Sequence, residues 1–181
     1  MKQYLFFTTL IFLCAGISSP LFSQQDNFIK DYIERLENSK KYLISVAESM
    51  PEDKYDFRAT EASKSFAENL MHLGWAMDWH SQSLLGGREP RDWQTDTELK
   101  PNNKSKDEMI AKIEETFDKT IQLISAFEIT KLEDKLDYFG LNRSKRQIML
   151  LLTDHITHHR AQMLVSLRLN GVTPPRYIHY Q

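Results

Sequence analysis

The sequence predicts an all-α protein built as a four-helix bundle. Two observations carry this expectation. Four segments repeat their apolar residues at helical spacing, and serine-led capping signals precede three of them. Strand signals are weak throughout.

The first helix is expected from about Phe28 to Met50, after Asp26-Asn27 as candidate caps, with Ile29, Ile33, Leu36, Tyr42, Leu43 and Val46 on its stripe. Pro51 stops it. The second is expected from about Phe66 to Leu85. Ser65 and Glu68 have capping-box spacing, and Gly86-Gly87 ends the run. The third is expected from about Lys106 to Phe127 behind Ser105 and Glu108, along Met109, Ile113, Phe117, Ile121 and Ile124. The fourth is expected from about Lys145 to Leu169 behind Ser144. Asn170-Gly171 closes it and Pro174-Pro175 prevents continuation.

The connection from Gly86 to Lys104 is long enough for a crossover. A helix of twenty residues spans about 30 Å, and extended chain covers about 3.3 Å per residue. The second and third helices are therefore candidates to run parallel, although a long surface loop between antiparallel neighbours has the same length signature.

The chain begins like a secretory signal. Lys2 gives a short positive start, Tyr4 to Ile17 is almost continuously apolar, Ser18-Ser19-Pro20 breaks the run, and Ser23 offers a cleavage position. The alternative is an uncleaved anchor, against which the short apolar run counts. The expected division is a signal peptide at 1–23 and one domain at 24–181, placed in the periplasm or outside the cell, with no stable membrane insertion after cleavage. Cys14 is the chain's only cysteine and lies inside the apolar run, so the mature chain has no thiol. Disulfides, thiolate metal sites and a cysteine nucleophile are thereby excluded. The net charge of −2 and the lack of a basic stripe argue against nucleic acid as a partner.

The chemistry is concentrated in histidines. His155 and His159 stand at i and i+4, on one face of the fourth helix, a spacing that lets two imidazoles take adjacent corners of one metal ion. They continue an apolar seam that includes Ile148 and Leu152. The competing reading is a surface pair, or a core pair bonded to carbonyls. Ile156 occupies the glutamate position of an HExxH motif, so the zincin base is missing. A third donor must come from another helix. On the second, periodicity favours His80, near Leu73, Met77 and Leu84, over His72 on the flank of that stripe. Asp78, Asp154 and Gln162 are candidates to orient ligands or move protons, Asp154 also reading as a solvated surface carboxylate. Trp75, Trp79 and Trp93 are candidate pocket walls or ordinary core. His179 reads as a surface residue, with Tyr177 to Tyr180 as a segment able to fold over the site.

Several motifs together resemble a known family. Asn69-Leu70-Met71-His72-Leu73 ending in Leu84-Leu85-Gly86-Gly87, the run from His155 to Gln162, and Leu167 to Pro175 are similar in order and spacing to the DinB/YfiT-like superfamily of metal-dependent enzymes. The resemblance covers nearly the whole mature chain. Ala161 stands where the HxxxHRGQ motif has glycine. The resemblance implies an up-down-down-up bundle with a long crossover between helices 2 and 3. It also implies a metal triad of His72, His155 and His159, choosing His72 over His80. Relatives include thiol transferases and mycothiol-dependent isomerases, whose small thiols act in the cytosol, which sits poorly with an export signal.

Three imidazoles leave a coordination position open, as catalytic zinc sites do. Zinc and nickel are the foremost candidates, with manganese and iron behind them. The expected function is a metal-dependent hydrolase or transferase acting on an unknown small molecule, with no catalytic residue assigned. The alternatives are a metal-binding or stress-associated module without turnover, and a purely structural or dimerising bundle. A second copy of the chain is a candidate partner.

Overall fold

The computed structural model describes residues 19–180, and the side chains from Asn27 onward except that of His179. Most of the expected signal peptide (1–18) lies outside the described residues, as does the His179 side chain.

Four helices dominate: α1 (Ser19–Ser49), α2 (Phe66–Asp78), α3 (Lys106–Ser125) and α4 (Lys145–Leu169). The capping boxes at Ser65 and Ser105 form, each serine accepting from the backbone of its N3 glutamate. Ser144 does the same with Gln147. Each box satisfies two of the donors that a helix start leaves free.

The fold differs from the sequence expectation in three places. First, α1 already runs from Ser19 in the described residues, so Asp26-Asn27 lies within it and does not cap it. Nothing between Pro20 and Phe28 forces a stop. Second, α2 ends at Asp78 and continues as a π-helix, Trp79–Leu85. Third, the molecule is mostly helical but not all-α. Strands β1 (Lys135–Tyr138) and β2 (Leu141–Ser144) form an antiparallel hairpin, with Lys135 opposite Ser144 and Tyr138 opposite Leu141. The turn residues Phe139 and Gly140 have φ of 54° and 79°. Positive φ at both positions is the geometry of the two-residue hairpin turn that matches strand twist. Glycine meets this demand at Gly140 without strain.

The helices α1 and α2 each pack against both α3 and α4. Lys40 on α1 pairs with Asp118 on α3 at 2.7 Å, and Lys106 at the start of α3 donates to the carbonyls of Glu48 and Met50. The Tyr32 hydroxyl on α1 donates to the Met149 carbonyl of α4 at 2.7 Å. Between α2 and α3, Ser81 meets Thr120 at 3.0 Å, and Gly74 lies against Ile113. A Cβ on residue 74 would stand 2.8 Å from Ile113 Cδ1 and 3.0 Å from Leu99 Cδ2. The missing side chain thus lets α3 and the connection before it close on α2 two residues beyond His72. Leu36, Leu43, Leu70, Phe66, Phe117, Ile148 and Leu152 are fully buried and form the core between these helices.

The connection from Gly86 to Lys104 is tied down along its length. Asp78, 8% exposed, pairs with Arg88 and lies 3.2 Å from Arg91 Nε. Arg91 reaches on to Asp96 at 2.7 Å and Glu98 at 3.1 Å. Asp96 accepts from the backbone of Glu98 and Leu99, and Leu99 is buried beside Gly74. Among the described residues, no helix is long and apolar enough to cross a membrane.

Candidate metal centre

The helices α2 and α4 bring three histidines together. One ring nitrogen from each of His72, His155 and His159 lies within 4.8 Å of the others. The Nε2 atoms of His72 and His155 are 3.2 Å apart. Two imidazoles on one tetrahedral zinc, at the usual Zn–N distance, hold their donor atoms about 3.3 Å apart. The cluster is therefore already close to the spacing that a divalent ion requires.

The third ring is oriented by a neighbour. His159 Nδ1–H donates to the Asn69 side-chain oxygen at 2.9 Å, which leaves Nε2 unprotonated and free to coordinate. Asn69 is itself held. Its amide nitrogen donates to the carbonyls of Ser65, at 2.9 Å, and Lys64, at 3.2 Å. That pair fixes which end of the amide faces the histidine. Such partners of metal-binding imidazoles commonly contribute tenfold to a hundredfold in affinity. Asn69→Ala is accordingly expected to weaken zinc binding by about tenfold to a hundredfold with the helix content unchanged; calorimetric titration checks this, and wild-type affinity in the variant would remove Asn69 from the site.

The other residues singled out from the sequence lie elsewhere. His80 is a buried, satisfied core histidine. Its Nδ1–H donates to the Ala76 carbonyl at 2.7 Å, and its Nε2 accepts from the Tyr138 hydroxyl at 3.0 Å. Both ring nitrogens are occupied, and the hairpin supplies the partner. His158 is exposed, and its Nε2 accepts from Gln162 at 2.9 Å. Asp154 is exposed, and Asp78 pairs with Arg88 of the connection that follows. Trp93 stacks edge-on against Trp75 at 4.7 Å and reaches to 6.4 Å from His72. Trp79 packs against Tyr138 and Phe139 instead. The segment Tyr177–Tyr180 covers Tyr42 on α1, not the three histidines.

The cluster stays neutral at ordinary pH. Burial pushes His72 down to about 4 and His159 down to about 3, with neighbouring imidazoles adding to both effects. Burial also lowers His155, and the charge of His158 adds to it. Neutral rings are the form that binds a metal. In the unfolded chain these rings take up protons near 6.5. Between that value and about 4 the unfolded state therefore binds more protons than the folded one, and stability falls as pH falls. His80, also lowered to about 4 by burial, acts in the same direction. The melting temperature of metal-free protein is expected to hold above pH 7 and to drop steadily below about pH 6; a profile flat down to pH 4 would contradict this origin.

One face of the cluster is accessible. His72 lines a cleft of about 370 Å³ together with Lys64, Met71, Trp93 and Lys100. Lys100 Nζ stands 5.3 Å from the Trp93 ring centre.

The model of the DinB family matches residues 24–179. The chain belongs to the DinB family. Two solved DinB-like proteins share its fold. One, from Bacillus subtilis, is 19% identical with a TM-score of 0.65, over 81% of this chain and 96% of that one. The other, from Bacillus cereus ATCC 10987, is 19% identical with a TM-score of 0.64, over 83% and 95%. No curated protein matches. In this DinB-family chain the three histidines are positioned to bind a metal ion.

Proposed function

We propose that this DinB-family protein is an exported metal-dependent hydrolase or transferase for a small molecule, its one divalent ion held by His72, His155 and His159. The observation that carries the proposal is the meeting of three neutral imidazoles beside a cleft that His72 itself lines. Zinc and nickel suit this donor set best, followed by manganese and iron. A bound divalent ion supplies Lewis acidity, lowering the pKa of a water or polarising a carbonyl.

The chain's own residues hold and shape the site. Asn69 keeps the proton of His159 on Nδ1. Burial keeps the rings neutral and ready to donate. Trp93, Lys64 and Lys100 border the way in, with Glu61 and Glu68 on the same cleft, and favour a polar small molecule. The export reading rests on the apolar leader and the cysteine-free mature chain, and it disfavours a cytosolic thiol cosubstrate.

An up-down-down-up order is part of this proposal. Its support is the run of contacts along each pair of helices. From Gly74–Ile113 to Ser81–Thr120 both residue numbers rise, as for parallel neighbours joined by a crossover. From Asn69–His159 to His72–His155 one rises while the other falls.

A second reading, a metal-binding module without turnover, is favoured by one observation. Neither Asp78 nor Asp154 reaches the histidines: one is engaged with Arg88 and the other faces solvent. Cobalt-loaded protein tests the open coordination position that the enzyme reading requires. An open coordination position admits azide and changes the visible spectrum; a spectrum indifferent to azide contradicts the enzyme reading.

A further inference from the structure

A second group of cationic side chains lies on a different side of α4. Arg160 follows His159 in sequence, but packs toward α1 and the C-terminal tail, away from α2. Its guanidinium lies beside two adjoining rings, 5.0 Å from the Tyr42 centre and 5.6 Å from the Tyr177 centre, the rings themselves being 5.2 Å apart. Such contacts attract the cation but leave N–H groups to find oxygen acceptors. The residue is only 5% exposed, and Nη1 has no acceptor among the described residues.

Arg160 lines a cleft of about 470 Å³ whose other walls include Arg35, Asn38 and Ser39 of α1, Thr157 of α4 and Tyr177. Arg35 thus brings a second positive charge to the same cleft. Among the described residues, Arg58, Arg88, Arg91 and Arg146 have ion-pair partners; Arg35 and Arg160 have none, as is also true of Arg143, Arg168 and Arg176, of which only Arg160 is buried. Asp31 and Glu34 line the same cleft and bring two carboxylates to it, with no ion pair to either arginine within 4.0 Å among the described residues. A buried guanidinium with an unmet donor beside a like charge is unfavourable unless an anion completes it.

We propose that this cleft is a binding site for a small oxyanion, the carboxylate or phosphate group of a ligand, separate from the histidine cluster. The planar N–H fork of Arg160 suits two oxygens at once. Arg35 adds charge from the open side, and the amide and hydroxyls of Asn38, Ser39 and Thr157 supply neutral donors. The proposal does not depend on whether the histidines hold a metal.

Thermal melting of the metal-loaded full chain tests it, with inorganic phosphate, acetate and chloride titrated at constant ionic strength. Phosphate or acetate is expected to raise the melting temperature saturably, as a ligand of the native state must, while chloride does not. The more effective of the two identifies the group that the site takes. Arg35→Gln, an exposed change that leaves folding intact, is expected to raise the half-saturating concentration by about tenfold. Arg160→Gln is expected to abolish the response; should that variant not fold, Arg35→Gln decides alone. His72→Ala is expected to keep the response, and its loss there would move the anion to the histidine cluster and overturn the proposal. So would the absence of a saturable shift, or an equal shift in Arg35→Gln. A response that appears only after Tyr180 and Gln181 are deleted would show that the chain's own end fills the cleft, and would also overturn it.

Discussion

Alanine in place of His159 is expected to abolish stoichiometric zinc binding. This ring is the most buried of the three, and the only one whose second nitrogen is held by a fixed side chain. Its removal takes away a donor and leaves the Asn69 oxygen without its N–H. Losing such a supporting contact alone costs about tenfold to a hundredfold in affinity, so loss of the donor itself is expected to exceed about a hundredfold. His80→Ala makes the contrast. It leaves the Ala76 carbonyl and the Tyr138 hydroxyl unpartnered and is expected to destabilise by about 1–3 kcal/mol, yet to keep its metal. Calorimetric zinc titration alongside thermal melting reads both effects. Equal metal loss in the two variants would mean that zinc binding follows the integrity of the bundle and not the donors.

The second large effect is expected at Asp78. Its buried carboxylate ties Arg88 and Arg91 to the end of α2, and Arg91 carries the link to Asp96 and Glu98. Breaking a buried pair by deleting one partner costs about 3–5 kcal/mol. Arg88 and Arg91 retain some solvent, at 43% and 25% exposure, so Asp78→Ala is expected to cost about 2 kcal/mol. The loss falls on the Gly86–Lys104 connection, which carries Trp93 toward His72. Acrylamide quenching of tryptophan fluorescence should therefore increase in the variant under native conditions, before unfolding. A variant that melts lower with unchanged quenching would show that this connection is held by Leu99 packing alone.

Much of this architecture can be read from local signals. Ser65 with Glu68 and Ser105 with Glu108 are short-range motifs whose geometry hardly depends on the rest of the fold, and the helices start where they stand. The His155 and His159 pair depends only on helical spacing, and the two rings meet as that spacing requires. The choice between His72 and His80 is different. Almost the whole circumference of α2 is buried, from Phe66 and Ala67 through Met71 and Gly74 to Met77 and Asp78. An apolar stripe cannot single out a face on such a helix. The π-helix at Trp79 then shifts the register on which the periodicity argument for His80 relied. Family resemblance favoured His72, and the structure groups that residue with His155 and His159.

Other features depend on contacts distant in sequence. Asn69 reads as a flank residue of α2 until α4 brings His159 to it, 90 positions away. The hairpin has four-residue strands that are mostly exposed, alternating in burial only in β1, and its turn places phenylalanine at positive φ, where asparagine or glycine would have been the recognisable signal. Tyr138, the partner of His80, was hidden with it.

The central claim is that His72, His155 and His159 hold one divalent ion. Elemental analysis of protein purified without chelator tests it most directly, with wild type beside His72→Ala and His80→Ala. About one equivalent of metal is expected in the wild type and in His80→Ala, with loss in His72→Ala. Metal retained in His72→Ala but lost in His80→Ala would contradict the assignment.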